Sequence, residues 1–347
     1  MGLVDLASVA SLLSCPRCGC GLVEAQGSLM CSSPWCDVHA RGSFPTVGRW
    51  PVLVDFDRSV IEEREVRSAS NAGSVRSPGT HRWSIDRLPT WLRPCWNPPN
   101  RVAARNVELL LSLLSQPSPV VLVIGGATMG NGVEAIYADR RTRVIGFDIY
   151  SSPLTQFIAD AHQIPLAGES VDAVLIQAVL EHVLDPGQVV REIHRVLRTG
   201  GLVYAETPFL QQVHAGPYDF VRFTSSGHRY LFRAFEEIAA GPVAGPGTQL
   251  LWSVDHIVRG LLRSELAGKL ARGVFFWLRY LDRLVPTAFA MDDASAYYFL
   301  GRRANRALTA HEIVGYYRGA QRTGACGHSR QRRLTASTIA RRRRGRA

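Results

Sequence analysis

Four short apolar and β-branched runs mark the middle of the chain: "PVVLVIG" (119–125), "TRVIGFD" (142–148), "VDAVLIQ" (171–177) and "LVYAET" (202–207). A shorter run, "FIAD" (157–160), lies between the second and third. The runs are continuous rather than alternating, the pattern of strands buried on both faces. Helical patterns separate them, "GQVVREIHRVL" (187–197) being the clearest. Strands alternating with helices predict an α/β fold: a Rossmann-like, doubly wound, mostly parallel sheet with helices on both faces.

Flanking patterns divide the chain. Leu3, Leu6, Ala7, Ala10 and Leu13 fit one face of a short amphipathic helix. A small cysteine-bearing domain is expected over 1–60. Residues 61–99, rich in Ser, Pro, Gly and Trp without periodicity, read as a linker that packs partly through three tryptophans. Asn100 then caps "RVAARNVELLLSLL", where Val102, Leu109, Leu110, Leu113 and Leu114 recur at helical spacing. The core is expected over 100–240 and a helical cap over 241–317, its amphipathic faces turned onto that core. A disordered basic tail fills 318–347.

Charge sharpens this division. The net charge is +11, but the last thirty residues hold ten Arg and no acid, so the body is nearly neutral. That argues against a broad nucleic-acid-binding face. No apolar run is long enough to span a membrane. The N-terminus carries Asp5 and no basic leader region, so a cytoplasmic protein is expected.

Cys15, Cys18, Cys31 and Cys36 have the form C-x2-C…C-x4-C, close to zinc-ribbon spacing, with Gly19 and Gly21 suited to the first tight turn. Four thiolates can converge on one structural zinc; two disulfides are the alternative, in an oxidising compartment that nothing here indicates. Cys20 and His39 are spare ligands for a three-Cys, one-His site.

The stretch "VVLVIGGATMGNGVEAIYA" runs strand, Gly-rich turn, helix, where open α/β sheets bind ligands at the carboxyl ends of their strands. Asp148 ends the next strand about twenty residues on, placed for its carboxylate to accept both ribose hydroxyls of an adenosine; a cap or turn role is the alternative.

From Pro119 to about Phe235 the chain resembles class I S-adenosylmethionine-dependent methyltransferases of the type 11 group, most closely over "IADAHQIPLAGESVDAVLIQAVLEHVLDPGQVVREIHRVLRTGGLVYAETP". The resemblance implies S-adenosylmethionine as cofactor. It assigns Asp160 to the adenine amino group, the Ala161 amide to the ring, Gln177 to the strand end beneath the methionine part, and Gly200 and Gly201 to the turn before the fifth strand. The chain departs from the group's first motif: Val123 stands for an acid, and Ala127 and Met129 for glycines. Gly125, Gly126, Gly130 and Gly132 remain, so a close backbone approach stays feasible. The cysteine segment through "FPTVGRWPVLVDF" is similar to the small zinc-ribbon modules that precede or partner methyltransferases, with Gly48 and Arg49 departing from their closing hairpin.

Methyl transfer demands in-line placement and a dry pocket, and a base only for a hydroxyl or protonated amine. His182 in "LEHVL" and His214, Tyr218, Asp219 and His228 in "QQVHAGPYDFVRFTSSGHRYLF" are the polar candidates for that role and for the acceptor wall. The expected acceptor is a small molecule or a lipid- or saccharide-linked intermediate. "GVFFWLRYLDRL" (273–284) fits either the cap packed on the core or a helix lying on a membrane surface. Two other functions stay open: a zinc-ribbon RNA-binding protein or RNA methyltransferase, supported by the Arg tail, and a non-catalytic cofactor-binding scaffold.

Overall fold

All five residues of Val120–Ile124 are buried, and the sheet is built outward from them. The computed structural model describes residues 2–25, 27–66 and 98–322. The three tryptophans of the expected linker and the tail beyond Arg322 lie outside the described residues.

The N-terminal segment, expected as a short amphipathic helix, holds a 3-10 helix, Ala7–Leu12. Leu3 instead makes an isolated parallel bridge to Val144. An antiparallel hairpin follows, β1 (Leu22–Ala25) and β2 (Ser28–Cys31), then a second, β3 (Thr46–Val47) and β4 (Trp50–Leu53). The core strands are β5 (Val120–Ile124), β6 (Arg143–Asp148), β7 (Phe157–Ala159), β8 (Val171–Gln177) and β9 (Leu197–Pro208), which coincide with the five apolar runs. Two further strands complete the sheet, β10 (Phe235–Ala244) and β11 (Ala296–Arg303). The nine-stranded order is β10-β11-β9-β8-β5-β6-β7-β4-β3. Pairing from β9 through β4 is parallel, and β11 runs antiparallel to both its neighbours.

Successive strand residues point to opposite faces, so the two faces carry separate cores. Leu122, Ile124, Phe147, Val174 and Ile176 meet Val189, Val190 and Ile193 of one helix (Pro186–Val196). Val121, Val123, Ala173 and Leu175 meet Val107 and Leu110 of the other, Arg101–Leu113. These two are here called α2 and α1. Each has a local start signal: Asn100 accepts the Ala103 amide at 2.9 Å, and Asp185 accepts that of Gln188 at 2.9 Å.

The structure differs from the sequence expectation in three places. The cysteine segment is not set apart: Val52 and Leu53 of β4 pair in parallel with Ile158 and Ala159 of β7, and Cys15, Cys31 and Phe44 share the core of the α2 face. The Trp50 indole N–H, donating to the Ser152 and Thr155 carbonyls at 3.0 and 2.9 Å, fixes this docking. The segment after residue 240 is only partly helical, because β11 inserts between β9 and β10.

The helices before β11, Pro246–Leu262, Glu265–Val274 and Thr287–Asp292, are an excursion between two strands. They were expected to turn their apolar faces onto the core. Instead Ile257, Leu261, Leu262, Leu266, Leu270 and Val274 are exposed, as is Trp277 in the 3-10 helix Phe276–Arg283. Asp282 holds the excursion together from within, accepting the Gly245 and Gly247 amides at 3.1 and 2.6 Å.

Candidate active site

The loop after β5 turns at Gly125, whose φ of +76° is strained for any residue with a side chain. The Gly125 and Gly126 amides both donate to the Phe147 carbonyl, at 3.1 and 2.9 Å, folding the loop over the end of β6. There the Asp148 carboxylate accepts the Ala127 amide at 2.9 Å and the Tyr150 amide at 3.3 Å. Burial raises its pKa above the ordinary carboxylate value, with those amides opposing. Asp148 thus takes the turn role, one of the two alternatives the sequence left, from a position at the carboxyl end of β6.

One strand over, Asp160 follows β7 and is 4% exposed. It accepts the His162 amide at 2.9 Å and lies 2.6 Å from His162 Nδ1, while the Ser59 hydroxyl donates to its other oxygen. Burial raises its pKa, but the hydrogen bonds from His162 and Ser59 outweigh that and leave it lowered. Ala161 begins the 3-10 turn Ala161–Gln163 and is buried. Ser59 lies a hundred residues away in sequence, and no local pattern marks it.

Gln177 at the end of β8 donates through Nε2 to Glu206 at 2.8 Å and to the Asn131 carbonyl at 3.2 Å. Its Oε1 is buried without a hydrogen-bond partner and would lie 1.8 Å from a Cβ at position 130, so Gly130 is required for this close approach. Glu206 was not singled out from the sequence. It is 6% exposed and accepts from Tyr204, Gln177 and Asn100, while burial raises its pKa against those bonds. An acid inside the apolar run "LVYAET" was the signal that could have found it. Gly200 and Gly201, by contrast, lie at the opposite end of the strands, within β9 before its buried stretch.

A second polar group gathers where the loop after β9 folds over the exit of β8, tied there by the Phe220 amide donating to the Glu181 carbonyl at 2.8 Å. His182 and His214 stack edge to face at 4.9 Å between centroids. Asp219 accepts the His214 amide at 3.0 Å and is paired to Arg222, which holds its carboxyl well below the usual range. Tyr218 enters through its backbone carbonyl, 2.8 Å from His182 Nδ1, and its ring is exposed. Burial lowers the His214 pKa, and nearby His182 adds to that. Glu181 and Arg222 complete the group. Neither was legible, because "LEHVL" does not say which of its polar residues turns inward.

His228 is not on the acceptor wall. It is 3% exposed, in the helix Ser225–Leu231, packed edge-on against Phe232 at 5.2 Å and Phe299 at 6.4 Å. Burial pushes its pKa down to about 3, with Arg229 adding to the effect. The unfolded chain protonates this residue near its ordinary value of about 6.5 while the folded chain does not. Its contribution is therefore fully present above about pH 6.5 and lost as the pH falls toward 3. His228→Phe is expected to reduce the acid sensitivity of the fold, by about 3 kcal/mol between pH 7.5 and 4. Urea unfolding at the two pH values checks this, and equal acid losses in variant and parent count against it.

The cysteines converge as their spacing implied. The sulfurs of Cys15, Cys18, Cys31 and Cys36 lie within 4.8 Å of one another, with Cys18–Cys31 at 3.5 Å and Cys15–Cys36 at 3.9 Å. Tetrahedral zinc with bonds of about 2.3 Å separates its sulfurs by about 3.8 Å, so the donors fit that ion. All four are free thiols rather than disulfides. Burial pushes the Cys31 thiol up to about 11, so holding thiolates there calls for a cation. Cys20 is exposed and outside the group, and His39 Nδ1 lies 2.6 Å from the Cys31 carbonyl rather than at the sulfurs.

The family model described as "Methyltransferase domain" matches residues 126–205. An uncharacterized 37.1 kDa protein in transposon TN4556 of Streptomyces fradiae is 31% identical over 124 residues, covering 30% of this chain and 35% of that protein. A protein of Mycolicibacterium smegmatis described as a probable S-adenosylmethionine-dependent methyltransferase is 36% identical over 93 residues, covering 24% of this chain and 36% of that protein. The chain thus spans about a third of the length of these curated relatives. Among solved structures, Haemonchus contortus phosphoethanolamine N-methyltransferase 2 in complex with S-adenosyl-L-methionine aligns at 14% identity and a TM-score of 0.38, over 58% of this chain and 53% of that one.

Proposed function

We propose that this chain, whose residues 126–205 form a class I methyltransferase domain, transfers a methyl group from S-adenosylmethionine to a small or lipid-linked acceptor. The observation that carries the reading is the placement of Asp148 and Asp160 at the carboxyl ends of neighbouring strands. The unpartnered Gln177 Oε1 beside Gly130 fits the same ligand. Asp148 would hold the ribose hydroxyls, Asp160 and Ala161 the adenine, and Gln177 Oε1 the ammonium of the methionine part.

When bound, the cofactor supplies an electrophilic methyl group on a sulfonium. The chain's own part is to position the acceptor in line and exclude water. The polar group of His182, His214, Asp219 and Glu181 would manage an acceptor proton. Cys15, Cys18, Cys31 and Cys36 hold a structural zinc: the site is closed by four protein ligands and has no position left for chemistry.

The excursion helices support a lipid-linked acceptor. Their exposed Ile257, Leu261, Leu262, Leu266 and Leu270 are joined by exposed Arg263, which follows Leu262 directly, a combination suited to the headgroup boundary of an anionic lipid surface. A lipid-linked acceptor would be met there. No described helix is long and apolar enough to cross a membrane.

The test is incubation with methyl-labelled S-adenosylmethionine and an extract divided into lipid, aqueous, protein and RNA fractions. Label is expected in the lipid or aqueous fraction. Label confined to RNA would move the assignment to an RNA methyltransferase. Cofactor binding with no label in any fraction would move it to a scaffold.

A further inference from the structure

We infer that Glu181, His182 and His214 form a divalent-cation site separate from the cysteine cluster. Its ligand atoms lie within 4.8 Å of one another. Glu181 is 1% exposed, yet both its carboxylate oxygens lack a hydrogen-bond partner. What faces them is two imidazole nitrogens: His182 Nε2 and His214 Nε2 each lie 3.7 Å from Glu181 Oε1.

The far side of each ring has a partner of its own. His182 Nδ1 lies 2.8 Å from the Tyr218 carbonyl, which can only accept, so Nδ1 carries a proton and Nε2 is the nitrogen turned to Glu181. His214 Nδ1 lies 3.4 Å from the Asp219 carboxylate, itself anchored by Arg222 and the His214 amide. A histidine oriented by a carboxylate or carbonyl on its second nitrogen is the usual support of a metal ligand. A buried carboxyl group and two imidazole nitrogens therefore converge, with neither nitrogen at hydrogen-bond distance from the carboxyl oxygens. Buried polar groups left so cost free energy unless something cationic fills the gap.

The spacing suits a metal. Two bonds of about 2.1 Å at a tetrahedral angle place ligand atoms about 3.4 Å apart, near the 3.7 Å from Glu181 Oε1 to each imidazole nitrogen, which is longer than a hydrogen bond. Two imidazoles and a carboxylate favour a borderline first-row ion such as zinc, cobalt or iron over magnesium or calcium. Three protein ligands leave positions open, and the His182 and His214 side chains, 26% and 36% exposed, face the accessible side. An acceptor oxygen could occupy an open position, its hydroxyl proton passing to solvent as the cation stabilises the alkoxide or phenolate. That extension rests on the methyl-transfer reading, whereas binding of the cation does not.

The experiment uses the full chain, zinc-loaded at its cysteines and free of S-adenosylmethionine, dialysed against cobalt(II) chloride with bound cobalt counted per chain. One cobalt is expected beyond the zinc already present, without the intense thiolate-to-metal absorption that cobalt among cysteines would produce. Glu181→Gln and His214→Ala should each weaken this binding at least about tenfold. His182→Ala and His214→Ala alter partly exposed rings and carry the test if the buried substitution unfolds the chain. Absence of cobalt binding in the parent, or parental affinity in folded variants, overturns the site. Either result leaves the methyl-transfer reading where it stood, since no cofactor is in the assay.

Discussion

Asp148→Ala is expected to weaken S-adenosylmethionine binding at least about tenfold. Hydrogen bonds to a charged group contribute roughly 1.5–3 kcal/mol each, and every 1.4 kcal/mol is about a factor of ten, so losing the two ribose contacts proposed for Asp148 would exceed that bound even after coupling. Without ligand the same carboxylate accepts the Ala127 and Tyr150 amides. The substitution therefore also removes a local brace, at a cost of about 1–2 kcal/mol that relief of the buried charge partly offsets. Asp160→Ala, giving up a single adenine contact, should cost less affinity. Calorimetric titration of both variants decides the matter. An Asp148→Ala protein that binds as tightly as the parent removes the cofactor placement altogether.

Cys31→Ser is expected to have the larger effect on the protein as a whole. Cys31 is fully buried, and its sulfur is one of four donors that fit a zinc ion. Structural zinc in small modules contributes about 10–16 kcal/mol of apparent binding free energy, which acts as folding free energy for the segment that holds it. The loss does not stay local. β4 pairs directly with β7, and Ser59, just beyond β4, donates to Asp160. The variant should lose its zinc, unfold several degrees earlier and bind S-adenosylmethionine about as weakly as Asp160→Ala. Metal analysis, a thermal scan and the same titration report the three quantities. Full zinc occupancy in the variant contradicts the ligand set, while zinc loss with unchanged cofactor affinity contradicts the coupling.

The five central strands were legible because burial on both faces leaves an unbroken apolar run, a signal contained within seven residues. β10 and β11 were not. β11 is defined by its pairing with β9, roughly ninety residues earlier, and β10 is interrupted by Gly241, Pro242 and two register shifts. In the site, Asp148 and Asp160 were readable because each follows an apolar run. Glu181 and Glu206 were not, since sequence shows that a carboxylate exists but not that it is buried. His228 was misplaced for the converse reason: polar spelling suggested a surface, while its helix turns it between two phenylalanines. The excursion helices show the limit of amphipathicity as a guide, since an apolar stripe gives the existence of a partner without its identity.

The outer position of β4 bears on how the protein avoids itself. β7 has only three residues, all buried, and as a sheet border it would offer unpaired amides and carbonyls beside apolar side chains. Such borders recruit strands from other molecules. β4 occupies that border, and the strand beyond it, β3, has just two residues, flanked by Pro45 and the Gly48 turn, with Pro51 of β4 removing one donor. A chain stripped of its first fifty-four residues would keep every core strand from β5 to β9 and yet present an open, adhesive margin, so the cysteine-bearing segment also serves as a guard against aggregation.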